Sequence, residues 1–460
     1  MNKHYHLIGI GGIGMSGIAK LLLRKGASVS GSDLKETRIT QELKKLGARI
    51  FIGHHPQNIR KAETICYSSA IKEENPEMRE ARSLGLPVLR RAEVLARLME
   101  GKKVITVAGS HGKTTTASLI SALLLEAGLQ PCVAVGGILK NIDTNSCLGS
   151  GEFFVVEADE SDGSFLYYRP DYSIITNIDR EHLDYYKEFD RELEAFKAYL
   201  DKTQEEGCVF CCDDDAYLKN MLKEYGGRFV LFGLRETAHI YPKNIKRAGL
   251  ASEFDCFSKG RFIDRFELAL GGWHNISNAL SVIALGLELK IDLKFIRGAL
   301  KGFQGAGRRL EIKFCDSNFL LIDDYAHHPT EIKATLEAVK NLGRKRIIVV
   351  FQPHRYSRTK LLLSEFGESF DLADTVILTD IYPASELPIP GVNSQCVLER
   401  IKQHAPDKDV FLWPTEQVAE DILKILRPGD LVMTLGAGDI AKVSDSLSET
   451  LHAGKKENRA

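Results

Sequence analysis

The 460-residue sequence predicts an α/β protein of three domains, spanning 1–98, 99–307 and 308–460. Three observations point there. At roughly 150 residues per domain, the length accommodates about three cores. Short apolar runs, each leading through polar or glycine-rich turns into apolar-periodic stretches, begin afresh near residues 5, 104 and 319. A polar break at Gly101-Lys102-Lys103 and a glycine-rich stretch over 302–307 separate the three restarts.

In the first segment an apolar run over 5–10 leads into glycines, then a periodic stretch over 13–23 that stops at Gly26, then a second run over 27–31. This reads as strand, glycine turn, helix and strand. Further strands at 49–52 and 64–67, with a helix at 75–83, complete a parallel sheet of five or so strands. The second segment opens with a strand at 104–108 and a helix at 114–125. Strands follow at 153–157, 172–176 and 208–210, and a helix at 279–289. The third has strands at 319–323, 346–351, 375–379 and 430–434 with helices between them, and a polar tail at 454–460 that reads as disordered.

Composition narrows the function. Hydrophobic residues at 44% and charged residues at 27% match ordinary globular proteins and argue against disordered, collagenous or coiled-coil chains. Lys+Arg number 61 against 62 Asp+Glu, so no basic field exists to hold nucleic acid or an anionic membrane. No apolar run reaches the roughly 18 residues of a membrane span, and residues 1–10 do not read as a signal peptide. The nine cysteines are odd in number and lack framework spacing, which points to free thiols and a cytoplasmic location. Cys208, Cys211 and Cys212 have no second cluster at zinc spacing and are read as strand residues.

Two glycine loops carry chemistry. Gly9-Ile10-Gly11-Gly12-Ile13-Gly14 lies between a strand and a helix, where backbone amides and the helix N-terminus can hold a diphosphate. This makes the first domain Rossmann-like. Asp33, 19 residues after Gly14, is placed for a ribose hydroxyl; a dinucleotide and a UDP-sugar both fit. Gly109-Ser110-His111-Gly112-Lys113-Thr114-Thr115 is a P-loop shortened by two residues. Its amides, the Lys113 ammonium and the Thr114 hydroxyl would converge on phosphates and Mg²⁺, which makes the central domain P-loop ATPase-like. After the strand at 153–156 come Glu157, Asp159, Glu160 and Asp162, hard oxygen donors at the strand end where open α/β sheets place ligands. His182 follows the next strand and could ligate a second ion. Trp273-His274-Asn275-Ile276-Ser277-Asn278 opens an apolar helix with side chains suited to a base or ribose. Asp324-Tyr325-Ala326-His327-His328 and Gln352-Pro353-His354-Arg355-Tyr356-Ser357-Arg358 crowd two strand ends, read as neighbours, with groups suited to an anionic substrate.

Taken in order, these stretches resemble the Mur ligases, the ATP-dependent amide-forming enzymes of peptidoglycan assembly. The short P-loop, Glu157 to Asp162, Asn177 with Glu181-His182-Leu183-Asp184, and His274-Asn275 with Asn278 stand in family order. Ser68-Ser69-Ala70-Ile71, Gly307-Arg308-Arg309 and Leu435-Gly436-Ala437-Gly438-Asp439 point to the alanine-adding branch. The resemblance covers essentially the whole chain and implies a third, Rossmann-like α/β domain that closes over ATP. It reassigns the first loop: Gly9, Gly11, Gly12, Ile13, Gly14, Met15, Asp33, Ser68 and Ser69 are expected to bind a UDP-sugar. The implied reaction transfers the ATP γ-phosphoryl group to the lactyl carboxylate of UDP-N-acetylmuramate, giving an acyl phosphate that the amine of L-alanine attacks. A recycling ligase that attaches an intact peptide to the same UDP-sugar is the alternative.

ATP contacts are then expected from Gly109, Ser110, His111, Gly112, Lys113, Thr114, Thr115, His274, Asn275, Asn278, Arg308, Arg309 and Asp324. Thr114, Glu157 and His182 are expected to hold Mg²⁺. Lys113, Glu157, His182, Arg309, His327, His354 and Arg358 are expected to be catalytic, with Tyr325, His327, His354 and Arg358 facing the substrate carboxylate or the amino acid. Ala326 stands where the family often has glycine. Lys197, at the position of a lysine that some relatives carbamylate, is expected to be an unmodified helix-face residue. A monomer or weak homodimer is expected.

Overall fold

The computed structural model describes residues 3–68 and 70–457. It contains three sheets. The first is wholly parallel: β1 (His4–Ile8), β2 (Ser28–Asp33), β3 (Arg49–Ile52), β4 (Thr64–Tyr67) and β5 (Val88–Arg90), in the order β3-β2-β1-β4-β5. The order reverses between β1 and β4, so a crevice opens where β1 runs into the glycine loop.

The second sheet has ten strands: β6 (Lys103–Ala108), β7 (Cys132–Leu139), β8 (Thr144–Cys147), β9 (Phe153–Glu157), β10 (Tyr172–Ile175), β11 (Cys208–Cys212), β12 (Phe229–Phe232), β13 (Ile240–Ala248), β14 (Ala251–Ser258) and β15 (Arg261–Leu268). Their order is β15-β14-β13-β12-β11-β10-β6-β9-β7-β8. From β12 to β7 the pairing is parallel, while the β7–β8 hairpin adds an antiparallel edge to the parallel sheet that the sequence suggested. β6 lies between β10 and β9, a second reversal point, and it ends in the P-loop. The helix that follows, Lys113–Glu126, is buried on every side from Thr114 to Leu124, so its apolar run shows no amphipathic period.

The third sheet holds β16 (Glu311–Cys315), β17 (Phe319–Asp324), β18 (Arg346–Phe351), β19 (Thr375–Leu378), β20 (Asp409–Leu412) and β21 (Asp430–Leu435), in the order β16-β17-β21-β18-β19-β20. It is parallel except for β16, which pairs antiparallel with β17. β17 and β18 are therefore not neighbours, as the sequence suggested: β21, the last strand in the chain, is inserted between them. The last helix runs Ala441–Glu457, so 454–457 are helical rather than disordered; with no proline in the run, Gly454 alone does not stop the helix.

The chain forms two compact units. One comprises Met1–Asn244, Phe254–Glu267 and Ser277–Gln304; the other comprises Ile245–Glu253, Leu268–Ile276 and Gly305–Ala460. In the second unit, Leu250 packs on the core around Ile322, Ile332, Leu336 and Ala338, and the Arg247 guanidinium lies 4.7 Å from the Trp273 ring centroid. In the first, the helix Ile13–Arg24 docks on the β7–β8 hairpin, where Asn145 Nδ2 donates to the Ile13 carbonyl (2.8 Å). No helix among the described residues is long and apolar enough to cross a membrane.

Candidate active site

The first glycine loop is pinned at both ends. The Gly9 and Ile10 amides donate to the Ser32 carbonyl (2.9 and 3.1 Å), with Gly9 at φ +79°, and the Gly11 amide donates to Asp33 Oδ2 (2.8 Å). The Asp33 carboxylate thus shapes the loop, and a Cβ on Gly11 would stand 2.8 Å from it. Ser68 lies against Gly9, while the Met15 side chain is in the core, which leaves only its backbone for a ligand; Ser69 lies outside the described residues. Gly12 caps the helix that begins at Ile13, so the helix N-terminus and the loop amides share one side.

Arg91, which no motif singled out, reaches this loop from the helix Arg91–Met99. A Cβ on Gly14 would lie 2.5 Å from Arg91 Nη1, and Arg91 Nη2 donates to Asp159 Oδ2 (3.0 Å). Burial raises the Asp159 carboxyl, but the Arg91 charge and bonds from Ser161 bring it below its ordinary range. Arg91 therefore joins the first glycine loop to the acidic loop of the second sheet.

The P-loop is braced by the end of β10. The Ser110 amide donates to the Asn177 carbonyl (3.0 Å), the His111 amide to Asn177 Oδ1 (2.9 Å) and Asn177 Nδ2 to the His111 carbonyl (3.1 Å). His111 Nε2 lies 3.0 Å from Asp179 Oδ2. Gly109 (φ +120°) approaches Thr176 and Asn177, and a Cβ on Gly112 (φ +84°) would lie 2.8 Å from Asn278 Oδ1, which places Asn278 beside the loop. Thr115 is buried in the first turn of the following helix. His274 and Asn275 open the helix Trp273–Glu288 and belong to the second unit, while the helix from Ser277 on belongs to the first; Asn275 Nδ2 donates to the Gly271 carbonyl (2.8 Å).

Lys113 Nζ donates to the Gly109 carbonyl (2.5 Å), the Ser110 carbonyl (3.1 Å) and Glu160 Oε1 (2.6 Å). Burial opposes the ammonium charge, but the Glu160 carboxylate outweighs it and holds the Lys113 pKa above its ordinary value. The same Oε1 lies 3.2 Å from His182 Nε2, and the buried Oε2 has no hydrogen-bond partner among the described residues. Burial lowers and the Glu160 and Glu181 carboxylates raise the His182 pKa, for a net increase. Burial pushes the nearby Glu192 carboxyl up to about 8. Thr114 Oγ1 donates to Glu157 Oε2 (3.1 Å), and Glu157 Oε1 accepts the Gly136 amide (2.6 Å). A hydroxyl, carboxylates and an imidazole converge beside a phosphate loop, and a buried carboxylate oxygen lacks a donor; this set fits Mg²⁺ with a polyphosphate. Lys197 is on an exposed face of the helix Phe189–Leu200, as the sequence suggested, and pairs with Glu224.

In the C-terminal sheet, Arg308 and Arg309 have different partners. Arg308 Nε donates to Asp323 Oδ2 (2.8 Å), Nη2 to the Gly436 carbonyl (2.6 Å) and Nη1 to the Gly438 carbonyl (3.2 Å). Arg309 makes a long pair with Glu331 (3.6 Å) and lies 5.1 Å from the Tyr325 ring centroid. Asp324 accepts the Leu310 and Ala326 amides (2.6 and 2.8 Å), and burial pushes its carboxyl up to about 6 against the pull of Arg309. A row of rings runs Tyr325–His327–His354–Tyr382 with centroids 5.5, 5.6 and 5.5 Å apart. His327 Nδ1 lies 3.0 Å from the Tyr325 carbonyl, and Arg358 Nη1 lies 3.1 Å from His354 Nδ1. Arginine only donates, so His354 accepts at Nδ1 and carries its proton on Nε2. The ends of β17 and β18 thus meet although β21 separates the strands. Tyr382 was missed because it follows β19 and carries no motif.

Three family models match: Mur ligase family, catalytic domain (4–103), Mur ligase middle domain (107–286) and Mur ligase, glutamate ligase domain (308–438). The chain is 44% identical over 446 residues, 97% of each chain, to a UDP-N-acetylmuramate--L-alanine ligase of Geotalea uraniireducens. It is 45% identical over 452 residues, 98% of each, to one of Desulfotalea psychrophila. The crystal structure of UDP-N-acetylmuramate-alanine ligase MurC from Thermotoga maritima superposes with a TM-score of 0.84 at 30% identity, covering 98% of this chain and 99% of that one. A murein peptide ligase of Psychrobacter arcticus, at 22% identity and a TM-score of 0.74, shares the fold. With three family models in order along its length and relatives this similar from end to end, the chain belongs to the Mur ligase family.

Proposed function

We propose that this chain joins L-alanine to the lactyl carboxylate of UDP-N-acetylmuramate at the expense of ATP, giving UDP-N-acetylmuramoyl-L-alanine, ADP and phosphate. The observation that carries the reading is the shortened P-loop, with Lys113 held by Glu160 and Thr114 by Glu157, in a chain collinear with relatives of that name. A carboxylate is a poor electrophile, so the reaction needs a transferable phosphoryl group, neutralised charge and two aligned substrates. Mg²⁺, when bound, supplies part of that neutralisation, with Thr114, Glu157 and His182 as its ligands.

Lys113 exchanges its carbonyl and Glu160 contacts for β/γ-phosphate oxygens, and the loop amides from Gly109 to Thr115 orient the chain of phosphates. His274, Asn275, Asn278 and Asp324 serve the nucleotide. Arg309 rather than Arg308 meets the γ-phosphate, because the Arg308 guanidinium is already committed to Asp323, Gly436 and Gly438. Tyr325, His327, His354 and Arg358 orient the carboxylate and the incoming amine, with Arg358 suited to a carboxylate. The division of labour follows the sheets: 1–98 holds the UDP-sugar, 99–307 ATP and Mg²⁺, and 308–460 the amino acid. All nine cysteines are free, which supports a cytoplasmic enzyme, and it acts as a monomer or weak homodimer.

The test is phosphate release from ATP and UDP-N-acetylmuramate with L-alanine or with the tripeptide that a recycling ligase uses. Turnover with L-alanine is expected; turnover with tripeptide alone overturns the proposal.

A further inference from the structure

The N-terminal sheet contains a buried charge that the phosphoryl-transfer chemistry does not use. Glu77, in the first turn of the helix Pro76–Ser83, is completely shielded from solvent. Its Oε2 accepts from Ser32 Oγ (2.5 Å) and lies 3.3 Å from His54 Nδ1 and 3.6 Å from His6 Nε2. Its Oε1 accepts from Asn58 Nδ2 (2.6 Å) and the His55 amide (3.3 Å). Burial alone would raise this carboxyl, but His6, Ser32 and Asn58 bring it down to about 2, so it stays an anion. Covering a parallel sheet does not require such a group, since apolar replacements of buried ion pairs are often as stable.

What Glu77 does hold is the edge where a ligand would sit. The main-chain oxygen of Ser32, its nearest partner, accepts the Gly9 and Ile10 amides and so forms the turn that opens the glycine loop. The next residue, Asp33, accepts the Gly11 amide through its side chain and the Gly53 amide through its carbonyl. Gly53 begins the loop that carries His54, His55 and Asn58. One carboxylate thus ties together the end of β2, the loop after β3 and the helix after β4.

We propose that Glu77 is a positioning residue for the UDP-sugar, fixing Ser32 and the 53–58 loop so that the glycine-loop amides are preorganised for a diphosphate that Glu77 itself does not touch. The inference rests on reading the first glycine loop as the diphosphate cradle. Loss of the charge should therefore weaken the sugar nucleotide selectively and leave the chemistry of bound substrates intact.

The experiment uses the full chain with Glu77→Gln, which keeps the shape and removes the charge. UDP-N-acetylmuramate binding is followed by calorimetry, and kcat and both KM values by phosphate release. The expected result is a Kd for UDP-N-acetylmuramate raised about tenfold or more, with kcat at saturation and the ATP KM within about twofold. An unchanged Kd overturns the proposal, as does a parallel loss of kcat and both KM values. If Glu77→Gln does not fold, Ser32→Ala decides: it keeps the main-chain oxygen and removes the hydroxyl that joins Ser32 to Glu77 and to His54 Nδ1 (3.0 Å) of the 53–58 loop, and unchanged sugar affinity in it overturns the proposal. Failure of the wild-type chain to bind UDP-N-acetylmuramate refutes the reading of the loop instead, whereas wild-type binding with an unaffected variant refutes only the role of Glu77.

Discussion

Arg308→Ala and Arg309→Ala should separate a structural cation from a catalytic one. Removing the Arg308 guanidinium leaves Asp323, whose side chain is 3% exposed, with the Thr434 hydroxyl (2.7 Å) and takes donors from the Gly436 and Gly438 carbonyls. Breaking a buried pair costs about 3–5 kcal/mol; because Arg308 keeps 23% exposure, about 2–4 kcal/mol is the better figure. At about 2–4 °C per kcal/mol for a unit of this size, Tm should fall by about 8 °C. Arg309 makes a long 3.6 Å pair with Glu331 and lies over the Tyr325 ring, contacts together worth about 1 kcal/mol, so its loss should shift Tm by about 3 °C, well short of the Arg308 effect. Turnover should behave the opposite way: an arginine on a transferring phosphoryl group is worth about 10³-fold or more, so Arg309→Ala should nearly abolish phosphate release. Arg308→Ala, assayed below its lowered Tm, should retain most of its rate. Calorimetric melting and phosphate release on both variants make the comparison. An Arg308→Ala protein that melts like wild type but does not turn over would refute the reasoning and exchange the two roles.

Other outcomes follow from the same geometry. Lys113→Ala should reduce phosphate release by about 10³-fold or more while calorimetry shows UDP-N-acetylmuramate still bound; loss of both would place the sugar away from the first glycine loop. Lys197→Ala should leave the rate within about twofold and gain nothing from added formate, because the lysine pairs with Glu224 on an exposed face; a large loss restored by formate would mean that it is carbamylated. The Glu77 carboxyl is depressed to about 2 in the folded chain from an ordinary 4.5, so its stabilisation is present above about pH 4.5 and lost as pH falls towards 2. Urea titrations should then show the stability gap between wild type and Glu77→Gln, up to about 3 kcal/mol, narrowing from about pH 5 towards pH 2; a constant gap would contradict the depressed carboxyl.

Much of this was legible in the sequence for a local reason. A glycine loop, the strand before it and the helix after it are contiguous, so the spacing of Gly9 to Gly14 and Gly109 to Thr115 carries its own context. Arg91 and Tyr382 were invisible as site residues, and Glu160, legible only as one carboxylate of an acidic run, gave no sign of its hold on Lys113, because these roles come from distant partners: Arg91 matters through Gly14 and Asp159, Glu160 through Lys113 and His182, Tyr382 through His354. The sheet order of the C-terminal domain was hidden similarly, since nothing near 319–351 announces that a strand from 430–435 will enter between them. The β7–β8 hairpin was overlooked because its residues, Cys132–Leu139 and Thr144–Cys147, mix glycine and polar side chains without clean alternation.

The second compact unit is discontinuous in the chain: 245–253 and 268–276 belong with 305–460. A ribosome that has just finished Gln304 has therefore already made part of a body whose sheet does not yet exist, and Leu250 must wait for Ile322, Ile332 and Leu336 before it is covered. A gene cut at the glycine-rich stretch would not yield a freestanding C-terminal module. The 305–460 fragment would expose the apolar seat of Leu250, and the upstream fragment would expose Leu250 itself. Split-protein designs of this chain should instead place their break in the exposed turn at Gly343, inside the later segment, and keep 245–276 joined to the early strands of the third sheet.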